Sequence, residues 1–183
     1  VLSYAELAPH LAARLEALQH AIGEGRLDAR ELSEDLFLDL HRSLCGDLTP
    51  GFAGCWRSAD VVVGSHEPPP AFKVGEHMRE YVRDLAARLD HLPAQPDGLW
   101  LEALAFAEGR LLSIHPFTDF NGRVTRAFID WLTRRLNLPD VDPTPGDAAA
   151  TERYLAALRA GDQRNWQPLM DIWRERLGRG LGQ

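Results

Sequence analysis

A chain of 183 residues with 45% hydrophobic and 26% charged side chains has the size and balance of one globular domain with a sizeable core. Its 27 Asp and Glu against 20 Lys and Arg give a net charge of -7. That excludes a general nucleic-acid or anionic-membrane binder, because no surplus of positive charge exists to neutralise phosphates along a strand. No apolar run approaches the roughly 18 residues of a membrane span.

Ser3 and Glu6 have capping-box spacing, and Leu7, Leu11, Leu15, Leu18 and Ile22 trace one apolar stripe, so a first helix is expected up to Gly23 and Gly25. Asp28 with Glu31 repeats the start signal ahead of Leu32, Leu36, Leu40 and Leu44. Between Gly46 and Pro70 turn formers surround one β-branched run, Val61-Val62-Val63, which predicts a small hairpin or flap. A helix follows on Val74, Met78, Tyr81, Val82, Leu85 and Leu89. Asp97 then caps a long helix carrying Trp100, Leu101, Leu104, Leu111 and Leu112. A non-helical stretch from His115 to about Phe120 precedes a helix that starts near Asn121 and stops before Pro139. Two more helices fit around Thr151 to Ala160 and Trp166 to Leu177. The expected architecture is a single domain over residues 1–183, with a core at about 30–177 and an N-terminal helix over 1–25: an all-α bundle with a small β-hairpin flap.

Cys45 and Cys55 have neither disulfide-framework nor metal-ligand spacing, which favours a reducing, cytoplasmic compartment, with a secreted effector left open. The opening Val1-Leu2-Ser3 shows no signal peptide and lacks an initiator Met, consistent with a piece of something longer. No P-loop and no Rossmann fingerprint appears.

Residues 115–126 read His-Pro-Phe-Thr-Asp-Phe-Asn-Gly-Arg-Val-Thr-Arg. A loop entering a helix start offers free N–H groups and a positive dipole end to an anion. Asn121 and Gly122 suit turns that aim successive N–H groups into one concavity. Arg123 and Arg126 are three apart, project from neighbouring positions on the first turn, and form a phosphate clamp in an otherwise acidic protein. Asp119 is an oxygen ligand suited to Mg²⁺ alongside waters and substrate phosphates. His115 can accept a proton near neutral pH. Phosphoryl or nucleotidyl transfer needs these parts, because its catalysis is mostly positioning and charge neutralisation. Taken singly, such residues are more often solvated, ion-paired or structural; the ordered combination is what points to chemistry.

This segment resembles the signature of Fic (filamentation induced by cAMP) domains, written HPFx[D/E]GNGRxxR, at His115, Pro116, Phe117, Asp119, Asn121, Gly122, Arg123 and Arg126. Gly54-Cys55-Trp56-Arg57 is similar to the segment ahead of that family's flap, and Tyr154 to Leu169, including Asp162, resembles its closing helices. The resemblance implies a protein adenylyltransferase that moves AMP from ATP onto a Ser, Thr or Tyr hydroxyl of a protein substrate. In that reading His115 is the base, and Asp119 holds Mg²⁺ bridging the α- and β-phosphates. Asn121 and the amides near Gly122 receive phosphate oxygens, Arg123 neutralises the α/β-phosphates, Arg126 holds the γ-phosphate, and Phe117 anchors the loop. The flap, Val61, Val62, Val63, Gly64, Ser65 and His66, pairs with an extended target segment by strand addition.

Phe120 departs from the family's usual Gly, where a positive φ costs a bulky residue on the order of 1–2 kcal/mol. Its ring, if near the phosphates, alters nucleotide choice or pose, so Phe120 joins the candidate nucleotide-binding residues. The alternatives are a silent interaction module, a transferase of another nucleotide or of phosphate, and removal of AMP by the same residues. The phosphate-transferring subgroup carries Lys where this chain has Gly122, which favours nucleotidyl transfer. Many relatives also carry an inhibitory [S/T]xxxE[G/N] helix; here only His20 to Glu24-Gly25 comes close. A separate antitoxin-like inhibitory partner or an inhibitory segment outside this sequence is therefore expected, with an unregulated enzyme and Glu24 as the internal inhibitor as the alternatives. Trp131 is a further candidate to approach the base, and His41 reads as a structural histidine.

Overall fold

The computed structural model describes residues 4–180. Seven α-helices run in order: α1 (Tyr4–Gly23), α2 (Glu34–Cys45), α3 (Val74–Asp90), α4 (Gly98–Ile114), α5 (Asn121–Arg135), α6 (Ala148–Asp162) and α7 (Gln167–Gly180), with a 3-10 turn (Ala71–Lys73) leading into α3. The all-α bundle is as expected. Ser3, half of the anticipated capping box, lies outside the described residues. No helix among them is long and apolar enough to cross a membrane.

α4 is the centre. It is buried along most of its length, from Leu101 to Ile114, and packs against α3, α5, α6 and α7. Its residues Ala103, Leu104, Ala105, Phe106 and Ala107 are apolar on every side, the pattern of a helix surrounded by others. α1 and α2 close the far side of α5, and Phe37, Tyr81 and Phe128 meet there in tilted ring contacts of 4.6 to 6.5 Å. The Trp166 ring sits where a Cβ on either Gly109 or Gly161 would come within 2.7 Å of it, so both positions need glycine for the indole to lie between α4 and α6.

Two local expectations are corrected. α2 starts at Glu34, capped by the Ser33 hydroxyl accepting the Leu36 N–H at 3.3 Å, and not at the Asp28–Glu31 signal. Asp28 is committed elsewhere: its two carboxylate oxygens accept from Arg134 at 2.8 and 2.9 Å. The flap is smaller than its β-branched run suggests. Only Val63 and His66 pair, through reciprocal N–H···O bonds of 2.9 and 3.0 Å around Gly64-Ser65, while Val61 and Val62 lack a partner strand. A two-stranded ribbon without further support is marginal, and Pro68-Pro69-Pro70 leaves few donors to extend it.

Candidate active site

α4 ends in His115, which takes a left-handed conformation (φ 50, ψ 60) and donates its N–H to the Leu111 carbonyl at 3.1 Å. The chain then drops Phe117 into the core, fully buried, as the anchor expected of it. Its ring lies flat on His41, centroids 4.0 Å apart and planes 8° from parallel. The His41 Nδ1 accepts the Gly54 N–H at 2.9 Å, the backbone of Asp119 is a second hydrogen-bonding neighbour, and the Cys45 Sγ lies 3.7 Å from Nε2. Burial lowers the His41 pKa to about 4, so the ring is neutral near pH 7.

Phe120 adopts positive φ (φ 63, ψ 14) at the start of α5, so the glycine-like backbone is kept in spite of the side chain. The ring does not take the place beside a cavity-bound nucleotide that the sequence left open to it. Phe120 is 4% exposed and turns inward, 6.2 Å from Phe52 and 6.3 Å from His41, away from the cavity described below. The aromatic contacts explain how the strained conformation is tolerated. Asn121 is likewise committed to the protein: its Oδ1 accepts the Phe117 N–H and its Nδ2 donates to the Phe117 carbonyl, both at 2.9 Å. The side chain shapes the loop; it does not line the cavity.

A cavity of about 460 Å³ opens beside this loop. Its floor is α4 at Gly109, Leu112 and Ser113. One wall is α5 at Gly122, Thr125, Arg126 and Ile129, and the opposite wall is α6 at Tyr154, Leu155, Leu158 and Asp162. The flap residues Val63, Gly64, Ser65 and His66 and the His115 side chain complete the rim. Thus His115, Gly122, Arg126 and the flap tip converge. A Cβ on Gly122 would meet nothing within 4 Å, so ligand atoms can approach its backbone closely. Asp119 and Arg123 lie outside the lining. Asp119 is exposed, with Oδ1 accepting the Phe120 N–H at 2.6 Å, and the Arg123 guanidinium sits 5.8 Å from the Phe120 ring. Neither Arg123 nor Arg126 forms an ion pair among the described residues. Trp131 does not approach the cavity: its Nε1 donates to the Leu27 carbonyl at 3.2 Å beside α1.

Burial is the main cause of a lowered pKa at His115, reinforced by the nearby Arg57 and His66 and opposed by the Leu112 backbone. A neutral imidazole oriented by a carbonyl at one nitrogen has the other available to accept a proton.

Three ties were not legible as site features. Arg57, 3% exposed, donates to the His115, Ala59, Pro69 and Ile114 carbonyls. Glu108 accepts from the Tyr154 hydroxyl at 2.6 Å and from Arg176 at 2.7 Å, joining α4, α6 and α7 under the cavity. His66 reaches the Ser113 carbonyl at 2.8 Å and Asp162 at 3.1 Å, folding the flap onto the rim. The sequence marks Arg57 only as the end of Gly54-Cys55-Trp56-Arg57, the segment similar to the family's approach to the flap, and gives no sign of its carbonyl partners.

Glu24 is not placed to block the site. It pairs with His20 and Arg26, and Gly25 lies against Arg134. Arg134 is eight residues along α5 from Arg126, about 12 Å at the helical rise.

Comparison with known proteins agrees with this fold. The model of the Fic/DOC family matches residues 31–133. The chain is 29% identical over 149 residues to the protein adenylyltransferase Fic of Nematostella vectensis, covering 81% of this chain and 34% of that protein. It is 32% identical over 143 residues to protein adenylyltransferase fic-1 of Caenorhabditis elegans, covering 76% and 26%. The chain therefore spans about a quarter to a third of the length of these curated relatives. Among solved structures, a Fic domain containing signaling protein from Bacteroides thetaiotaomicron superposes with a TM-score of 0.72 at 19% identity, covering 97% of this chain and 69% of that one. Fic-1 (residues 134–508) from C. elegans gives 0.71 at 22%, covering 100% and 58%. The chain belongs to the Fic/DOC family.

Proposed function

We propose that the protein transfers AMP from ATP to a hydroxyl of a target protein. The observation that carries this reading is the convergence of the His115 imidazole, the open backbone at Gly122 and the unpaired Arg126 guanidinium on one cavity. Relatives named as protein adenylyltransferases support it, as does a nucleotide analogue, AMPPNP, bound to a Bartonella tribocorum protein of the same fold.

In this mechanism the nucleotide occupies the cavity with its phosphates at the start of α5. The amides of Asn121 and Gly122, without intrahelical acceptors, and Arg126 receive phosphate oxygens. Arg123 swings from the Phe120 ring toward the same chain of phosphates. An extended target segment lies along the flap's Val61 to His66 edge. His115 removes the proton from its hydroxyl as the oxygen forms a bond to the α-phosphorus. The α–β bridging P–O bond breaks, pyrophosphate leaves with the electron pair, and the proton stays on His115.

The residues fit a divalent cation of the magnesium type. Asp119 is an exposed carboxylate with Oδ1 accepting the Phe120 N–H of its own loop, and Mg²⁺ takes one or two carboxylates with waters and phosphates. Held there by Asp119, it would supply charge neutralisation on the phosphates. A separate inhibitory, antitoxin-like protein remains the proposed source of control, since Glu24 faces the other end of α5.

The test is incubation of the protein with α-labelled or γ-labelled ATP, Mg²⁺ and cell lysate. α-Label on protein, lost in His115→Ala, is the expected result. γ-Label alone means phosphate transfer, and no label from either means an interaction module.

A further inference from the structure

Arg57 is a buried guanidinium whose side chain donates to backbone carbonyls alone. Its Nη1 reaches the Ala59 carbonyl at 3.0 Å and its Nη2 the Pro69 carbonyl, which are the two ends of the flap segment. Its Nε reaches the His115 carbonyl at 2.8 Å, and Nη2 also faces the Ile114 carbonyl at 3.4 Å. The Arg57 backbone N–H donates to the Pro116 carbonyl at 2.9 Å, so the residue grips the histidine loop twice. The planar fork of five donors serves this geometry; a lysine ammonium has three and cannot span the same acceptors.

The flap has little of its own to hold it. It makes one bridge, Val63 to His66, Val62 is largely exposed, and the His66 side chain holds the tip to the Ser113 carbonyl and Asp162 without reaching the two legs. A second tie at its root, Asp60 Oδ1 to the Ala71 N–H at 2.6 Å, keeps the two legs together but does not reach the loop. The legs therefore meet the histidine loop through Arg57.

We infer that Arg57 is a positioning residue that fixes the flap's register against the His115 imidazole, so that a hydroxyl presented on the flap meets the proton acceptor. What is aligned rests on the transfer reading above; the tie itself does not. Burial makes the choice costly, since it disfavours the charged guanidinium. Arginine at this place supplies a link that a neutral side chain cannot.

The experiment compares the full chain with Arg57→Lys and Arg57→Met by three readouts: ATP–Mg²⁺ affinity by calorimetry, α-label transfer to lysate proteins, and amide hydrogen exchange over residues 57–66. Expected for Arg57→Lys is nucleotide affinity within threefold of wild type, transfer reduced tenfold or more, and Val63 and His66 amides exchanging at least fivefold faster with Leu104 unchanged. Transfer at the wild-type rate in both variants, or affinity falling in parallel with transfer, overturns the assignment. If the wild type binds nucleotide but labels no protein, the transfer reading has failed and exchange alone decides: faster flap amides in Arg57→Lys support the tie, and unchanged ones overturn it. If neither variant folds, the wild type answers by itself. The Arg57 amide and the flap amides then open together within threefold if the tie holds, and at rates further apart if it does not.

Discussion

His41 lies flat against Phe117 at 4.0 Å while its Nδ1 accepts the Gly54 N–H, so one neutral imidazole joins α2, the approach to the flap and the signature loop. Its pKa of about 4 against an ordinary 6.5 makes this a pH-dependent contribution. As pH falls from 6.5 toward 4 the unfolded chain binds the proton first, so the stability present above 6.5 is lost, by roughly 3 kcal/mol at the lower end. Asp130 acts in the opposite sense: its carboxyl is raised to about 6 from 3.8 by burial, so its contribution to stability falls as pH rises through that window. The two trends partly cancel in the whole protein. The difference in urea unfolding free energy between wild type and His41→Gln isolates the first, and it shrinks as pH falls from 7 to 4.

The proton acceptor proposed for the transfer has its own signature. With the His115 pKa below its ordinary 6.5, the neutral form persists to lower pH than for an unperturbed histidine. The acid limb of the label-transfer rate against pH is expected below pH 6.5, and an acid limb above that value contradicts the role. His115→Ala lowers transfer by about 10²-fold or more, the low end of general-base contributions, without loss of nucleotide affinity.

Phe120 holds a positive φ and buries its ring, two effects of opposite sign. Phe120→Gly relieves about 1–2 kcal/mol of backbone strain and forfeits about 3–5 kcal/mol of aromatic packing. A net destabilisation of roughly 1–4 kcal/mol is expected. Thermal or denaturant unfolding measures it, and nucleotide affinity stays within a few-fold because the ring faces Phe52 and His41, not the cavity.

The Glu108–Arg176 pair is almost completely enclosed, its side chains 2% and 8% exposed. Arg176→Met leaves the Glu108 carboxylate with the Tyr154 hydroxyl alone and destabilises by about 3–5 kcal/mol, as removal of one member of a buried pair does. The double variant Arg176→Met, Glu108→Gln recovers most of that loss, because no uncompensated charge remains. Unfolding curves of the three proteins check the ordering.

Periodicity alone placed six of the seven helices close to where they stand, because their apolar faces are continuous and their ends carry caps such as Asp97. α2 was misplaced at its start because Asp28, which looks like a cap, serves Arg134 more than a hundred residues away. The flap's Val61 to Val63 promised a strand, and no local signal says that a partner is missing. Within the site, His115, Gly122 and Arg126 were legible as an ordered string. The Phe120 ring, the Asn121 amide and Arg57 were not, because their roles depend on partners such as Phe52 and Pro69 that come together only in three dimensions.

Position 120 shows what such a loop asks of its sequence. The demand is for a dihedral angle, and glycine meets it by being indifferent, whereas this chain meets it by recruiting neighbours to hold an unwilling residue in place. Phe52 and Phe120 are thereby made interdependent: a small side chain at 52 removes the support for the turn at 120. The start of α5, with Gly122 and Arg126 on its first turns, is thereby anchored by a pair of rings that stands outside the cavity wall.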